Sequence, residues 1–86
     1  MEKNNVEEIR ELVLDYVMHE YIDDEDVKIN YDTPLISGGY VDSFSMITLL
    51  VYLEKKFLIR IPSSKATPDA FNSINKIADL VIQHLN

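Results

Sequence analysis

Cysteine is absent from all 86 residues. That excludes a disulfide framework and any thiolate chemistry from the protein's own side chains, so a thiol, if the chain works with one, has to be brought in. Bases are scarce: 8 Lys and Arg stand against 15 Asp and Glu, a net charge of −7. Phosphate backbones demand basic surface, so nucleic acid is excluded as a partner. No long hydrophobic run is present either. The longest uncharged apolar-rich stretch, Phe44 to Leu53, is too short to span a bilayer. Met1 to Arg10 is polar and acidic, without the pattern of a secretion signal. These absences set the expectation of a soluble cytoplasmic protein. The length fits one domain, residues 1–86, with one thin core and no deep catalytic cavity.

What is present is apolar residue at helical spacing. Val6, Ile9, Val13, Tyr16 and Val17, widened by Leu12, form one stripe, with Glu7, Glu8, Glu11 and Asp15 opposite. This predicts an amphipathic helix from Asn4 to Tyr21, ended by the like charges of Asp23-Asp24-Glu25-Asp26 at the wrong pole of the dipole. Val27 to Tyr40 reads as a long connection, marked by Asp32-Thr33-Pro34 and Ser37-Gly38-Gly39 and anchored by Val27, Ile29, Leu35 and Ile36. A second helix starts at Ser43, capped by Asp42 or by Ser43 itself, and stops before Ile61-Pro62. Thr67-Pro68-Asp69 opens a short helix, Pro68 to Phe71. Ser73 caps a last helix with Ile74, Ile77, Ala78, Val81 and Leu85 on one face. The expected fold is all-α: a small four-helix bundle of three main helices and one short helix, with a long loop between the first two.

Charge is unevenly placed. Residues 1–32 hold 11 acids against 3 bases, whereas residues 33–86 hold 4 acids against 5 bases. The second helix is also too apolar for one buried face. Leu49, Leu50, Leu53 and Phe57 make one stripe, while Phe44, Ile47 and Val51 fall on another side. They are either plain core or an exposed docking strip; the surplus requires at least one of them to be outside. Tyr40 and Val41 are ambiguous in the same way.

Gly39-Tyr40-Val41-Asp42-Ser43-Phe44 is the informative stretch. It places a hydroxyl at the start of a hydrophobic helix, after a flexible loop, where free amides and the helix dipole favour an attached phosphate. A plain N-cap is the bland alternative. A hydrolase nucleophile would need a base, yet His19 and His84 lie near the far ends of the terminal helices and no Gly-x-Ser-x-Gly elbow occurs. No metal site is expected, since the Asp23–Asp26 run lacks the alternation, glycine and closing glutamate of a calcium loop.

The segment resembles the phosphopantetheine attachment motif of acyl and peptidyl carrier proteins, Gly-x-Asp-Ser-Leu opening the second helix. The likeness runs along nearly the whole chain: acidic first helix, Asp32-Thr33-Pro34-Leu35, Asp42-Ser43-Phe44, Leu49 through Phe57, Ile61-Pro62, the short helix and Ile74 to Leu85. Tyr40 stands where most members have glycine, with Gly39 one place earlier, and Phe44 replaces leucine. That Gly-x-x-Asp-Ser form is similar to freestanding D-alanyl and related aminoacyl carriers. Fatty-acid carriers are acidic along the second helix, whereas residues 42–60 here hold Asp42 and Glu54 against Lys55, Lys56 and Arg60.

The resemblance implies a monomeric carrier and not an enzyme. Ser43 would bear 4'-phosphopantetheine, transferred from coenzyme A by a phosphopantetheinyl transferase. Asp42 would help engage that transferase and its bound Mg²⁺. An adenylating ligase and acyl- or aminoacyl-transfer enzymes would be the further partners, docking through Tyr40, Val41, Phe44, Ile47 and Val51. The cargo would be an acyl or aminoacyl group held as a thioester. A small helical interaction module without a prosthetic group is the alternative.

Overall fold

The computed structural model describes residues 5–24 and 26–85. Asn4, the expected first residue of the first helix, and Glu25 of the acidic run lie outside the described residues. Among those described there are three helices and no strand: α1 Val6–Tyr21, α2 Ser43–Phe57 and α3 Ile74–Gln83.

Each helix begins at a side-chain cap that satisfies an otherwise orphaned amide. Asn5 accepts from the Glu8 amide at 3.0 Å, Asp42 from the Ser45 amide at 2.7 Å and Ser73 from the Lys76 amide at 3.1 Å. α1 ends where the acids begin: Ile22 is already extended, and a turn closes beyond it from the Val27 amide to the Asp24 carbonyl at 3.1 Å.

The core takes one stripe from each helix: Ile9, Val13 and Val17 from α1, Met46, Leu49 and Leu53 from α2, and Ile74, Ile77, Ala78, Leu80 and Val81 from α3. α1 and α3 pack directly against each other. Leu35, Val41, Ile61 and Phe71 close the core from the connections. Burying each such side chain contributes on the order of 1.5–3 kcal/mol. The end of α1 is joined to α2 by aromatic contact. Tyr16 stacks on Tyr52 with ring centroids 3.6 Å apart, and burial, followed by the adjoining Tyr21, pushes the Tyr16 phenol up to about 12.

Among the described residues no helix forms between Tyr21 and Ser43, and asparagines hold that connection down. The Asn72 carbonyl accepts from the Leu35 amide at 2.7 Å, and Asn72 Oδ1 accepts from the amides of Ile36 at 2.8 Å and Ser37 at 3.0 Å. Asn75 Nδ2 donates to Asp32 Oδ1 at 2.7 Å, and the Asn75 amide donates to the Tyr31 carbonyl at 3.0 Å. Gly38 is required by space, because a Cβ there would lie 2.2 Å from the Pro34 carbonyl oxygen. Gly39 is required by its φ of +85°.

The segment expected as a short fourth helix, Pro68 to Phe71, runs as consecutive turns. Its Phe71 amide is shared between the Thr67 and Pro68 carbonyls, each at 3.2 Å. Ser73 is already extended, with φ −153°, to cap α3. One closed turn cannot propagate into a helix when the chain must straighten two residues later.

Candidate functional site

The site is the first turn of α2 and the loop that delivers it. Tyr40 and Val41 both donate their amides to the Leu35 carbonyl at 2.9 Å. Leu35 is itself buried and tied to Asn72. The loop is thus pinned two residues before the helix starts, and Ser43 is set at a defined place rather than on a free strand.

Of the two candidate caps, Asp42 is the one used. Its extended backbone turns the carboxylate onto the Ser45 amide at 2.7 Å, and its carbonyl accepts from the Met46 amide at 2.9 Å. The hydrogen bond from the Ser45 backbone, followed by the Ser45 side chain, holds the Asp42 carboxyl below the usual carboxylate range. Asp42 is therefore ionised at neutral pH, and the residue is exposed.

Ser43 occupies the first helical position, exposed, and no side-chain hydrogen bond occupies its hydroxyl among the described residues. The bland reading of Ser43 as a structural cap thus fails, because that task belongs to Asp42. A hydroxyl that is exposed and uncommitted, on a backbone held in place by the Leu35 and Asp42 bonds, fits covalent attachment of a phosphodiester. The helix terminus would give an attached phosphate less than the sequence suggested, since the Asp42 carboxylate already holds one of the free amides.

Below the first turn, the Tyr21 hydroxyl reaches both the Ser45 carbonyl at 3.2 Å and the Thr48 hydroxyl at 2.7 Å. Thr48 in turn donates to the same carbonyl at 2.8 Å. This bridge from α1 braces the start of α2. Neither it nor the Asn72 clamp was identified from the sequence. A lone tyrosine or asparagine carries no periodic signal, and its partners lie 24 to 37 residues away.

The docking candidates divide. Phe44, Ile47 and Val51 are 79%, 55% and 44% exposed, and Tyr40 is 37% exposed. All three residues of the second stripe are therefore outside, where the sequence required only one. Val41 is a correction. It is 1% exposed, because its amide bond to Leu35 draws the chain inward and turns the side chain into the core, so Val41 offers no docking surface.

His19 Nδ1 lies 3.3 Å from the Asp15 carbonyl oxygen and His84 Nδ1 lies 2.9 Å from that of Leu80, each on its own terminal helix. Among the described residues, no group of His, Cys, Asp and Glu is arranged to hold a metal ion, and no helix is long and apolar enough to cross a membrane.

Comparison with known proteins covers most of the chain. Residues 7–81 match the family described as "Phosphopantetheine attachment site". The D-alanyl carrier protein of Streptococcus sanguinis (strain SK36) is 39% identical over 62 residues, covering 72% of this chain and 78% of that protein. That of Bacillus velezensis is 35% identical over 72 residues, covering 84% and 91%. That of Streptococcus suis (strain 98HAH33) is 30% identical over 76 residues, covering 88% and 94%.

Proposed function

The chain belongs to the phosphopantetheine attachment family of carrier proteins, and from that premise we propose that Ser43 bears the 4'-phosphopantetheine and that the cargo is an aminoacyl group. When bound, the cofactor supplies the terminal thiol on which the carrier's acyl or aminoacyl group is held as a thioester. The observation that carries the assignment is the division of labour at the helix start: Asp42 caps, and Ser43 is left exposed and uncommitted.

The residues around it act by placement. Leu35 and Asn72 pin the loop, Tyr21 braces the first turn, and Ser43 presents its hydroxyl to the transferase. Asp42, ionised and open, is suited to meet a cation held by that enzyme. The protein itself performs no chemistry in this reading; it presents Ser43 and carries what the cofactor holds. Tyr40, Phe44, Ile47 and Val51 offer apolar contact to a transferase, to an adenylating ligase and to the acceptor enzyme. Nearly neutral α2 sets the chain apart from acidic-helix carriers, and the likeness to D-alanyl carrier proteins favours D-alanine as cargo.

The finer architecture belongs to the same proposal: a single carrier domain over residues 1–86, monomeric and cytoplasmic, in which the Pro68 to Phe71 turn takes the place of the short fourth helix of a bundle and Val27 to Tyr40 is the long loop. The bond from the Phe71 amide back to Thr67 and the Thr67 hydroxyl accepting from the Ala70 amide at 3.2 Å support that reading of the turn. The cargo is tested by offering the holo protein to adenylating ligases with D-alanine, other amino acids or a fatty acid and reading intact mass. An added D-alanyl group is the expected result; loading by a fatty acid alone overturns the aminoacyl assignment.

A further inference from the structure

Leu58 is poorly suited to its position in two independent ways. It follows α2 directly with φ 56° and ψ 50°, and it is the only non-glycine residue at positive φ among the described residues. That conformation crowds the Cβ of an L residue and suits glycine or asparagine. Leu58 is also 89% exposed, the most exposed of the large hydrophobic side chains. Neither backbone nor burial accounts for a leucine there.

The turn is imposed by its surroundings. The amides of Leu58 and Ile59 both donate to the Glu54 carbonyl, the latter at 3.1 Å. The Glu54 carboxylate accepts from the amide of buried Ile61 at 2.9 Å. A sparsely populated conformation persists where neighbours over-determine it. The outcome is an apolar side chain aimed into solvent at the end of α2.

Its neighbours indicate what meets it. Phe44, Ile47 and Val51 form an exposed apolar line along α2 at spacings of three and four, Lys55 follows them, and exposed Leu58 stands directly past the end of the same helix. Lys55, Lys56 and Arg60 are exposed around it, a basic collar on a chain of net charge −7. Resting on the carrier reading above, we propose that Leu58 is a docking anchor for the adenylating ligase, and that the ligase receives it in an apolar pocket rimmed by carboxylates. The 15 residues of α2 at about 1.5 Å rise place this anchor roughly 22 Å along the axis from Ser43. The ligase can hold that end without obstructing the modified serine. The basic collar governs encounter, and the desolvated leucine governs how long the complex lasts.

The test compares Leu58→Gly and Leu58→Asn with wild type and with Leu58→Met. Each is first converted to the holo form, checked by intact mass, and then titrated as substrate of the ligase that loads the wild type. Both Gly and Asn suit the backbone, so their thermal midpoints stay level or rise. Their KM as carrier substrates rises about tenfold while kcat stays within about twofold. Leu58→Met retains the wild-type KM. Higher salt slows association a few-fold, as a carboxylate rim requires. Full modification with KM unchanged in the Gly and Asn variants overturns the anchor and leaves the carrier reading standing. Association independent of salt overturns the rim. Failure of wild type itself to take up the cofactor overturns the carrier reading, and the anchor with it.

Discussion

α2 and α3 are both rich in apolar residues and use them in opposite ways. α3 has 10 residues and buries Ile74, Ile77, Ala78, Leu80 and Val81. α2 has 15 and buries only Met46, Leu49 and Leu53, while Phe44, Ile47 and Val51 face water. The lesson is that apolar content does not rank a helix by its share of the core. α3 holds the fold together. α2 contributes one stripe to that fold and keeps a second at the surface beside Ser43, where a partner enzyme, rather than the chain itself, can bury it.

Substitution in the two helices should separate these roles. The largest effect on stability is expected from Ile77→Ala in α3, a fully buried side chain whose truncation costs about 2–5 kcal/mol. Phe44→Ala in α2, by contrast, should stay within about 0.5 kcal/mol of wild type. Urea denaturation at constant m-value reads both. Equal losses would erase the distinction between a helix of the core and a helix of the surface.

Docking should reverse the ranking. Ile47→Asp is expected to reduce loading by the cognate ligase about tenfold or more with little change in unfolding midpoint, since a charge at the centre of an apolar contact remains unpaired. Lys55→Glu with Lys56→Glu should change loading only a few-fold, because rim charges act mainly on encounter. A larger loss from the charge reversal would mean that electrostatics, not the apolar strip, selects the partner.

A smaller effect distinguishes Asp42's two roles. Asp42→Asn keeps a good cap and removes the charge, so modification by the transferase should fall several-fold while the thermal midpoint at neutral pH barely moves. Its carboxyl is held below the ordinary range by the Ser45 bond. It therefore contributes stability present above its unfolded pKa and lost as pH falls through its lower folded pKa. The Asn variant should lack that slight acid-side dependence in a midpoint-versus-pH series. Unchanged modification would assign Asp42 to capping alone.

Much of this was legible in the sequence because the signals are local. The cap at Ser73, the choice of Asp42 or Ser43 as the cap of α2 and most of the buried stripes follow from residue type and a period of 3.6, but the α2 stripe buries Met46, which the pattern did not include, and leaves Leu50 and Phe57 half-buried. The exposed serine followed from its place after a glycine-bearing loop. What escaped depends on tertiary pairing. Val41 was ambiguous between core and docking surface, like Tyr40, and the shared bond to Leu35 accompanies its turn inward. The Asn72 clamp joins residues 35 to 37 positions apart in the chain. Leu58 was invisible as a strained residue because leucine carries no turn signal; the bonds to Glu54 impose the conformation. The 67–71 segment had the start of a helix but not the length, with α3's cap too close behind it.

The central claim is that Ser43 is a chemical site and not a structural one. Its most direct test is the intact mass of the protein co-expressed with a promiscuous phosphopantetheinyl transferase, wild type beside Ser43→Ala. One phosphopantetheine on the wild type and none on the variant, with cooperative unfolding retained within about 0.5 kcal/mol, is the predicted result. Modification persisting in the variant, or loss of its helical circular dichroism signal, would contradict the assignment.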